Sequence, residues 1–261
     1  MTINKSERSI RTFQVDQLAV GIWPDRQGMG QAAGSEAARL LRQILRQQQQ
    51  ATVVFAAAPS QNEVLSTLAA ESGIDWSRVT AMHMDEYVGL ATDAPQSFGN
   101  YLRQAIFSRV NPGTVHYLGG AAADIGAEIE RYSRLIVDNP IDVVLAGIGE
   151  NGHLAFNDPG VADFADTSLV KQADLDLACR QQQVNDGCFG TLAEVPTQAL
   201  TLTIPALMSA RWIVCTVPGE TKADAVSSTL TGDVRDDVPA TILRAHPRAG
   251  LFLDTDAAAR L

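Results

Sequence analysis

Apolar residues fall along this chain in two kinds of run, and the two kinds alternate. Segment 34–50, GSEAARLLRQILRQQQQ, carries its apolar positions at helical spacing, and 51–58, ATVVFAAA, is a β-branched run suited to a strand buried on both faces. Pro59-Ser60 breaks that strand, and 61–72 reads as the next helix. The pattern predicts a second strand at 78–87 running into a loop, helices at 97–110 and 123–138, and the clearest buried strand, IDVVLAGIG, at 141–149. A strand at 211–219, a helix at 221–230 and a last strand at 249–254 complete it. Strands separated by helix-length segments imply parallel crossover units. The expected fold class is therefore α/β, a doubly wound and mostly parallel sheet with helices on both faces. No repeat or linker interrupts it, so 1–261 is read as a single domain.

In such sheets ligands gather at the carboxyl ends of the strands. Four strand ends deserve reading: APSQNE, MDEYVGL, GIGENGH and VPGETKA. The stretch GIGENGHLAFNDPG (147–160) begins with G-x-G-x-x-G, the fingerprint of a dinucleotide turn. That function needs a helix starting at the glycines and an acidic residue about 20 positions on, at the end of the next strand. Here Asp158-Pro159-Gly160 follows too soon, since proline disfavours helix for its predecessor, and the acids of KQADLD end no apolar strand. The alternative is that Gly147, Gly149 and Gly152 allow a tight turn that presents His153 at the sheet edge. Imidazole titrates near neutrality, and Asp158 is near enough in sequence to orient it. A lone histidine is more often structural; its place after a glycine-rich strand end favours chemistry.

Asp85 and Glu86 in MDEYVGL are consecutive, so in extended backbone they face opposite ways and one of them can enter a given pocket. Tyr87 could shape the pocket wall. His83 and Asp85 could share a face and hold a metal, but no second ligand pair of recognisable spacing supports that. The plain alternative is one solvated acid and one cap.

Composition narrows the partners. The 261 residues are 46% hydrophobic and 19% charged, with no apolar run of membrane-spanning length. The start, MTINKSERSIRTF, lacks the apolar stretch of a secretory signal, so a cytoplasmic location is expected. Cys179, Cys188 and Cys215 are too few and too scattered for a disulfide framework or a zinc cluster. A net charge of −10 disfavours nucleic acid and requires any anionic substrate to meet a locally positive pocket.

MDEYVGL together with GIGENGHLAFNDPG resembles the glucosamine-6-phosphate deaminase (isomerase) family, whose superfamily also holds 6-phosphogluconolactonases. VPTQALTLTI (195–204), VPGETKADAV (217–226) and ATILRAHPRAGLFLD (240–254) extend the likeness from about 51 to 254, in the family's order. The resemblance implies a modified Rossmann-like fold, no cofactor, no metal, and a small sugar phosphate as partner; it allows a homo-oligomer. It also implies the conversion of glucosamine 6-phosphate to fructose 6-phosphate and ammonia. His153 would help open the pyranose ring, Asp85 would shuttle a proton between C2 and C1, and Lys222, at a helix start after Pro218-Gly219, would bind phosphate.

This chain departs from the family at several points. Asn151 stands where an acid usually lies two residues before the histidine, and Asp158 stands where a glutamate is usual. Pro59-Ser60-Gln61-Asn62 replaces the glycine- and threonine-rich phosphate loop. The family's phosphate arginine has no clear counterpart, Arg180 being a nearby candidate. The expected catalytic group is thus Asp85, His153, Asp158 and Asn151. The expected substrate-binding group is Ser60, Gln61, Asn62, Glu86, Gly149, Gly152, Arg180 and Lys222. A galactosamine-6-phosphate deaminase, a lactonase on the same fold and a non-catalytic sugar-phosphate sensor stay open as alternatives.

Overall fold

The structure is a computed structural model that describes residues 9–261. Its eleven strands are β1 (Arg11–Val15), β2 (Leu18–Trp23), β3 (Ala51–Phe55), β4 (Val79–His83), β5 (Asp85–Tyr87), β6 (Thr114–His116), β7 (Val143–Ala146), β8 (Val170–Asp174), β9 (Gln198–Leu202), β10 (Trp212–Val217) and β11 (Ala249–Asp254). Eight form one sheet in the order β1-β2-β11-β10-β7-β3-β4-β6, in which β1 pairs antiparallel with β2 and every other pairing is parallel. The chain runs outward from β3 to β4 and β6, then crosses back to β7 and continues through β10 to β11. The sheet therefore reverses direction between β3 and β7, where a doubly wound fold opens a crevice for ligands.

Both faces of this sheet are covered, and the two-residue period of the strands sorts the core accordingly. Val53, Phe55, Val143 and Leu145 pack with Leu40, Leu41 and Ile44 of the helix Arg26–Gln47 and with Val64, Leu65 and Leu68 of the helix Asn62–Ala70. Val54, Val144 and Ala146, one residue out of step, pack with Tyr132 and Ile136 of the helix Ile125–Asp138 and with Val226 and Leu230 of the helix Ala223–Thr231. The doubly wound, mostly parallel architecture expected from the alternating runs is present.

Three features depart from the sequence reading. The first helix begins at Arg26, not at 34. The strands after 51 and 141 end at Phe55 and Ala146, which leaves Ala56–Ala58 and Gly147–Gly149 as loop at the crevice. Asp85–Tyr87 does not extend β4. It forms a separate antiparallel sheet, β5-β9-β8, with Asp85 opposite Thr201 and Glu86 opposite Leu200.

The early start of the first helix follows from its small residues. A Cβ on Gly30 would lie 2.2 Å from Glu63 Cβ and 3.1 Å from Glu63 C, so this glycine is what lets the first helix approach the helix Asn62–Ala70. Gly28 has room, its nearest neighbour being Asp25 Oδ1 at 3.4 Å. Alanine gains about 1 kcal/mol over glycine in a helix, whereas overpacking against a fixed neighbour costs about 1–3 kcal/mol. Gly28→Ala should therefore raise the urea midpoint, or leave it unchanged, and Gly30→Ala should lower it. Equal effects at both positions would show that the helices do not meet at Gly30.

Candidate active site

A cleft of about 220 Å³ opens at the carboxyl ends of β3, β7 and β10, the scale of one small ligand rather than a dinucleotide. Asp85, Gly147, Gly149, His153, Ser60, Gln61, Thr221 and Lys222 line it, together with Arg26 and three residues from the segment 182–186. Among the described residues lining it, Arg26 and Lys222 are the only cationic side chains.

The glycine turn after β7 is built around the histidine. Gly152 N–H donates to Gly149 O at 3.0 Å, and Gly149 N–H donates to His153 O at 3.0 Å. Gly152 has φ +86°, which favours glycine, and a Cβ on Gly149 would fall 2.1 to 2.3 Å from three atoms of the imidazole. His153 thus rests on the bare face of Gly149. No helix starts at these glycines, so the turn does not offer the helix N-terminus that a pyrophosphate would need.

Behind the ring, His153 Nδ1 lies 2.8 Å from Asp158 Oδ1, with its N–H off the straight line of a hydrogen bond. This leaves Nε2 as the nitrogen available to a ligand. Asn151 braces the pair: its Nδ2 donates to Asp158 Oδ1 at 2.9 Å and its Oδ1 accepts from His153 N–H at 3.1 Å. Burial raises the pKa of Asp158, which is 1% exposed, but the close contact and charge of His153 and the Asn151 amide outweigh it and hold the carboxyl below its ordinary range. The Cys179 thiol also reaches Asp158; burial, then that carboxylate, push its pKa far up. His153, Asp158 and Cys179 place one metal-ligating atom each within 4.8 Å of one another, so they are the residues here that could hold an ion.

Asp85 enters the same cleft from β5. Burial, and next the charge of Glu86, raise its pKa well above the ordinary carboxylate value. Its backbone carbonyl accepts from His83 Nδ1 at 2.8 Å, while His83 Nε2 accepts from Leu118 N–H at 2.9 Å. Both nitrogens of His83 are therefore engaged, which disposes of a His83–Asp85 metal pair.

In the same cleft Lys222 is buried with no hydrogen-bond partner for Nζ among the described residues. Glu150 Oε1 stands 4.0 Å away. Burial lowers the pKa of Lys222, opposed by the charges of Asp186 and Glu150. Gln61 joins the ends of β7 and β10 in the lining, its Nε2 donating to Ala146 O at 3.3 Å and its Oε1 accepting from Thr216 Oγ1 at 3.2 Å.

Four expected binding residues lie outside the lining. Glu86 faces away from Asp85, as alternation requires, and accepts from Ser97 Oγ at 2.8 Å and from Phe98 and Gly99 N–H at 3.1 and 3.0 Å. It caps the helix Phe98–Leu102. Asn62 accepts from the Tyr101 hydroxyl at 2.6 Å. Gly152 shapes the turn and faces Val238. Arg180 donates to Leu192 O at 2.6 Å and Val195 O at 2.9 Å, pinning a neighbouring loop. The sequence reading missed Arg26, Glu150, Gln182, Gln183 and Asp186. The helix Leu177–Asn185 that brings the glutamines in carries a weak apolar pattern, and it docks through Gln182 Oε1 to Glu150 N–H at 3.0 Å and through Tyr87 OH to Gln183 Oε1 at 2.7 Å.

The profile of the family described as glucosamine-6-phosphate isomerases/6-phosphogluconolactonase matches residues 24–251. A glucosamine-6-phosphate deaminase of Streptococcus suis (strain 05ZYH33) is 38% identical over 192 residues, 73% of this chain and 80% of the relative. One from Streptococcus sanguinis (strain SK36) is 35% identical over 225 residues, 86% and 92% of the two chains. Among solved structures, a monomeric glucosamine-6-phosphate deaminase superimposes with TM-score 0.84 at 27% identity, covering 93% of this chain and 99% of that one. The 6-phosphogluconolactonase of Thermotoga maritima shares the fold, with TM-score 0.73 at 21% identity over 90% and 98% of the chains.

The contact between Gly149 and the imidazole gives a direct test. Gly149→Ala should expel the ring and break the His153–Asp158 contact while leaving the sheet and the melting temperature nearly unchanged. Ring-nitrogen NMR or a crystal structure would read this; an unmoved ring would show that the backbone yields instead.

Proposed function

The chain belongs to the family of glucosamine-6-phosphate isomerases and 6-phosphogluconolactonases, and from that premise we propose that it converts glucosamine 6-phosphate to fructose 6-phosphate and ammonia. The observation that carries this reading is the joint placement of Asp85 and His153 in one cleft that also holds a buried ammonium, Lys222, with no hydrogen bond among the described residues. An acid–base pair beside an unsatisfied cation suits a substrate with a reactive carbon at one end and an anion at the other.

His153, oriented by Asp158 and Asn151, helps move the protons that open the pyranose ring. Asp85 takes the C2 proton of the open aldehyde form to give an enolamine, then returns it to C1. Water adds to the resulting ketimine carbon, and ammonia leaves. A lactonase needs no carbon acid chemistry and so has no use for Asp85 as a shuttle. No helix among the described residues is long and apolar enough to cross a membrane. A cytoplasmic enzyme of sugar-phosphate metabolism completes the proposal.

Ammonia release over a panel of hexosamine 6-phosphates tests the reaction, and its absence throughout would end the reading. Asp85→Asn should lower turnover by about 100-fold or more, the scale of a general base, and abolish solvent-deuterium incorporation at C1. Turnover within a few-fold of wild type would remove Asp85 from the mechanism. Lys222→Ala should raise KM strongly for phosphorylated sugars and leave any activity on free glucosamine unchanged.

The raised pKa of Asp85 fixes the sign of the pH response. The carboxylate is the active form, so kcat/KM is full above the raised value and falls as pH drops through it. The acidic limb should therefore lie above the ordinary carboxylate range. Glu86→Gln, which removes the neighbouring charge, should move that limb to lower pH. A limb unmoved by Glu86→Gln would assign it to another group.

A further inference from the structure

We infer that Arg26 is a second phosphate ligand, supplied from the start of the first helix to the cleft that Lys222 also lines. This inference rests on the sugar-phosphate reading above. Lys222 is not a sufficient counter-charge for a phosphate dianion, because Glu150 and Asp186 already oppose it. Arg180 does not line the cleft, and its Nη2 donates to the carbonyls of Leu192 and Val195. That leaves Arg26 as the one other cationic side chain lining the cleft among the described residues.

The setting of Arg26 is a built one. Asp25 caps the helix by accepting from Gly28 N–H at 2.7 Å, which fixes where Arg26 leaves the backbone. The guanidinium Nε lies 2.8 Å from Glu63 Oε1, and Nη2 donates to Pro59 O, the residue before Ser60 and Gln61 in the turn after β3. A guanidinium carries five donors in a rigid plane, so these two contacts hold it and leave other N–H groups for a ligand in the cleft that Arg26 lines. Gly30 contributes as well, since the close helix approach it allows brings Glu63 to Arg26. Arg26, Ser60, Gln61, Thr221 and Lys222 together would surround a phosphate with charge and hydroxyl donors, in place of a glycine-rich loop.

The test compares Arg26→Ala, Arg26→Lys and Arg42→Ala. Arg42 bridges the same two helices through Glu71 but does not line the cleft, so its removal imitates a purely structural loss. Arg26→Ala should raise KM for glucosamine 6-phosphate by about ten-fold or more, the scale of a lost charge-assisted hydrogen bond, with kcat little changed. Competitive inhibition by inorganic phosphate should weaken by the same factor. Arg26→Lys should recover part of the loss, and Arg42→Ala should show none of it. KM and phosphate inhibition within about two-fold of wild type in Arg26→Ala, or an equal rise in Arg42→Ala, would overturn the assignment. Should wild type release no ammonia, the substrate reading falls on its own. Calorimetric titration of inorganic phosphate into wild type and Arg26→Ala then still decides the role of Arg26: weaker binding to the variant supports it, and equal or no binding to both rejects it.

Discussion

Thr201 pairs across the small sheet with Asp85, and its Oγ1 accepts a hydrogen bond at 3.1 Å from Phe156 N–H, three residues after His153. One buried strand, β9, therefore holds the strand that carries Asp85 and the loop that carries His153. Asn157 adds to this by donating to Leu202 O at 2.8 Å and to Leu154 O at 2.9 Å, closing the turn that follows the histidine. The two groups lie far apart in sequence, and neither the main sheet nor the glycine turn alone fixes their separation. Because Thr201 and Leu202 are fully buried, the frame is insulated from solvent, and each side chain inherits the precision of backbone pairing.

The electrostatics of the cleft follow from how each charge is held. Asp85 has burial and a like charge against its ionisation, which suits a group that must take up a proton and give it back. Asp158 has hydrogen bonds that favour its ionised form, which suits a group that stays charged and orients a neighbour. Burial raises the pKa of both aspartates; at Asp85 the like charge of Glu86 adds to it, whereas at Asp158 the partners outweigh it. Asn151 belongs to the second group. The amide shares Asp158 Oδ1 with His153 while accepting from the histidine's own backbone, so it sets the position of both partners at once. An acid at 151 could not donate to Asp158 when ionised, which gives the neutral side chain a physical reason in this chain.

The architecture was legible because alternating helical and β-branched runs dictate parallel crossovers, and the order of strands then decides where the crevice must lie. The histidine turn was legible because Gly149 and Gly152 are required by geometry, one for contact with the ring and one for a positive φ. Strand β5 was misread as an extension of β4, since three residues of extended backbone carry no sign of which sheet they join. Arg26 was missed for a different reason. DRQGMGQAAG looks like a loop, because its glycines disfavour helix, and the gain that offsets them is contact with a second helix more than thirty residues away. Arg180 was favoured by nearness to the motifs, but its direction depends on carbonyls at 192 and 195 whose loop the sequence does not reveal.

A chain of net charge −10 that binds a dianion must do so against its own long-range field. Screening in physiological salt limits that field to about 8 Å, so what decides binding is the charge within the cleft itself. There the cations are few, and one of them is buried. Burial works against the charge of Lys222, and a bound phosphate would offer the ammonium partners in place of the water it gave up. An anion beside Lys222 would favour its charged form, against the burial that lowers its pKa. A neutral sugar gains none of this. On this physical account discrimination for phosphorylated sugars would come from the two cations that line the cleft, Arg26 and the buried Lys222, with the rest of the surface left free to be acidic.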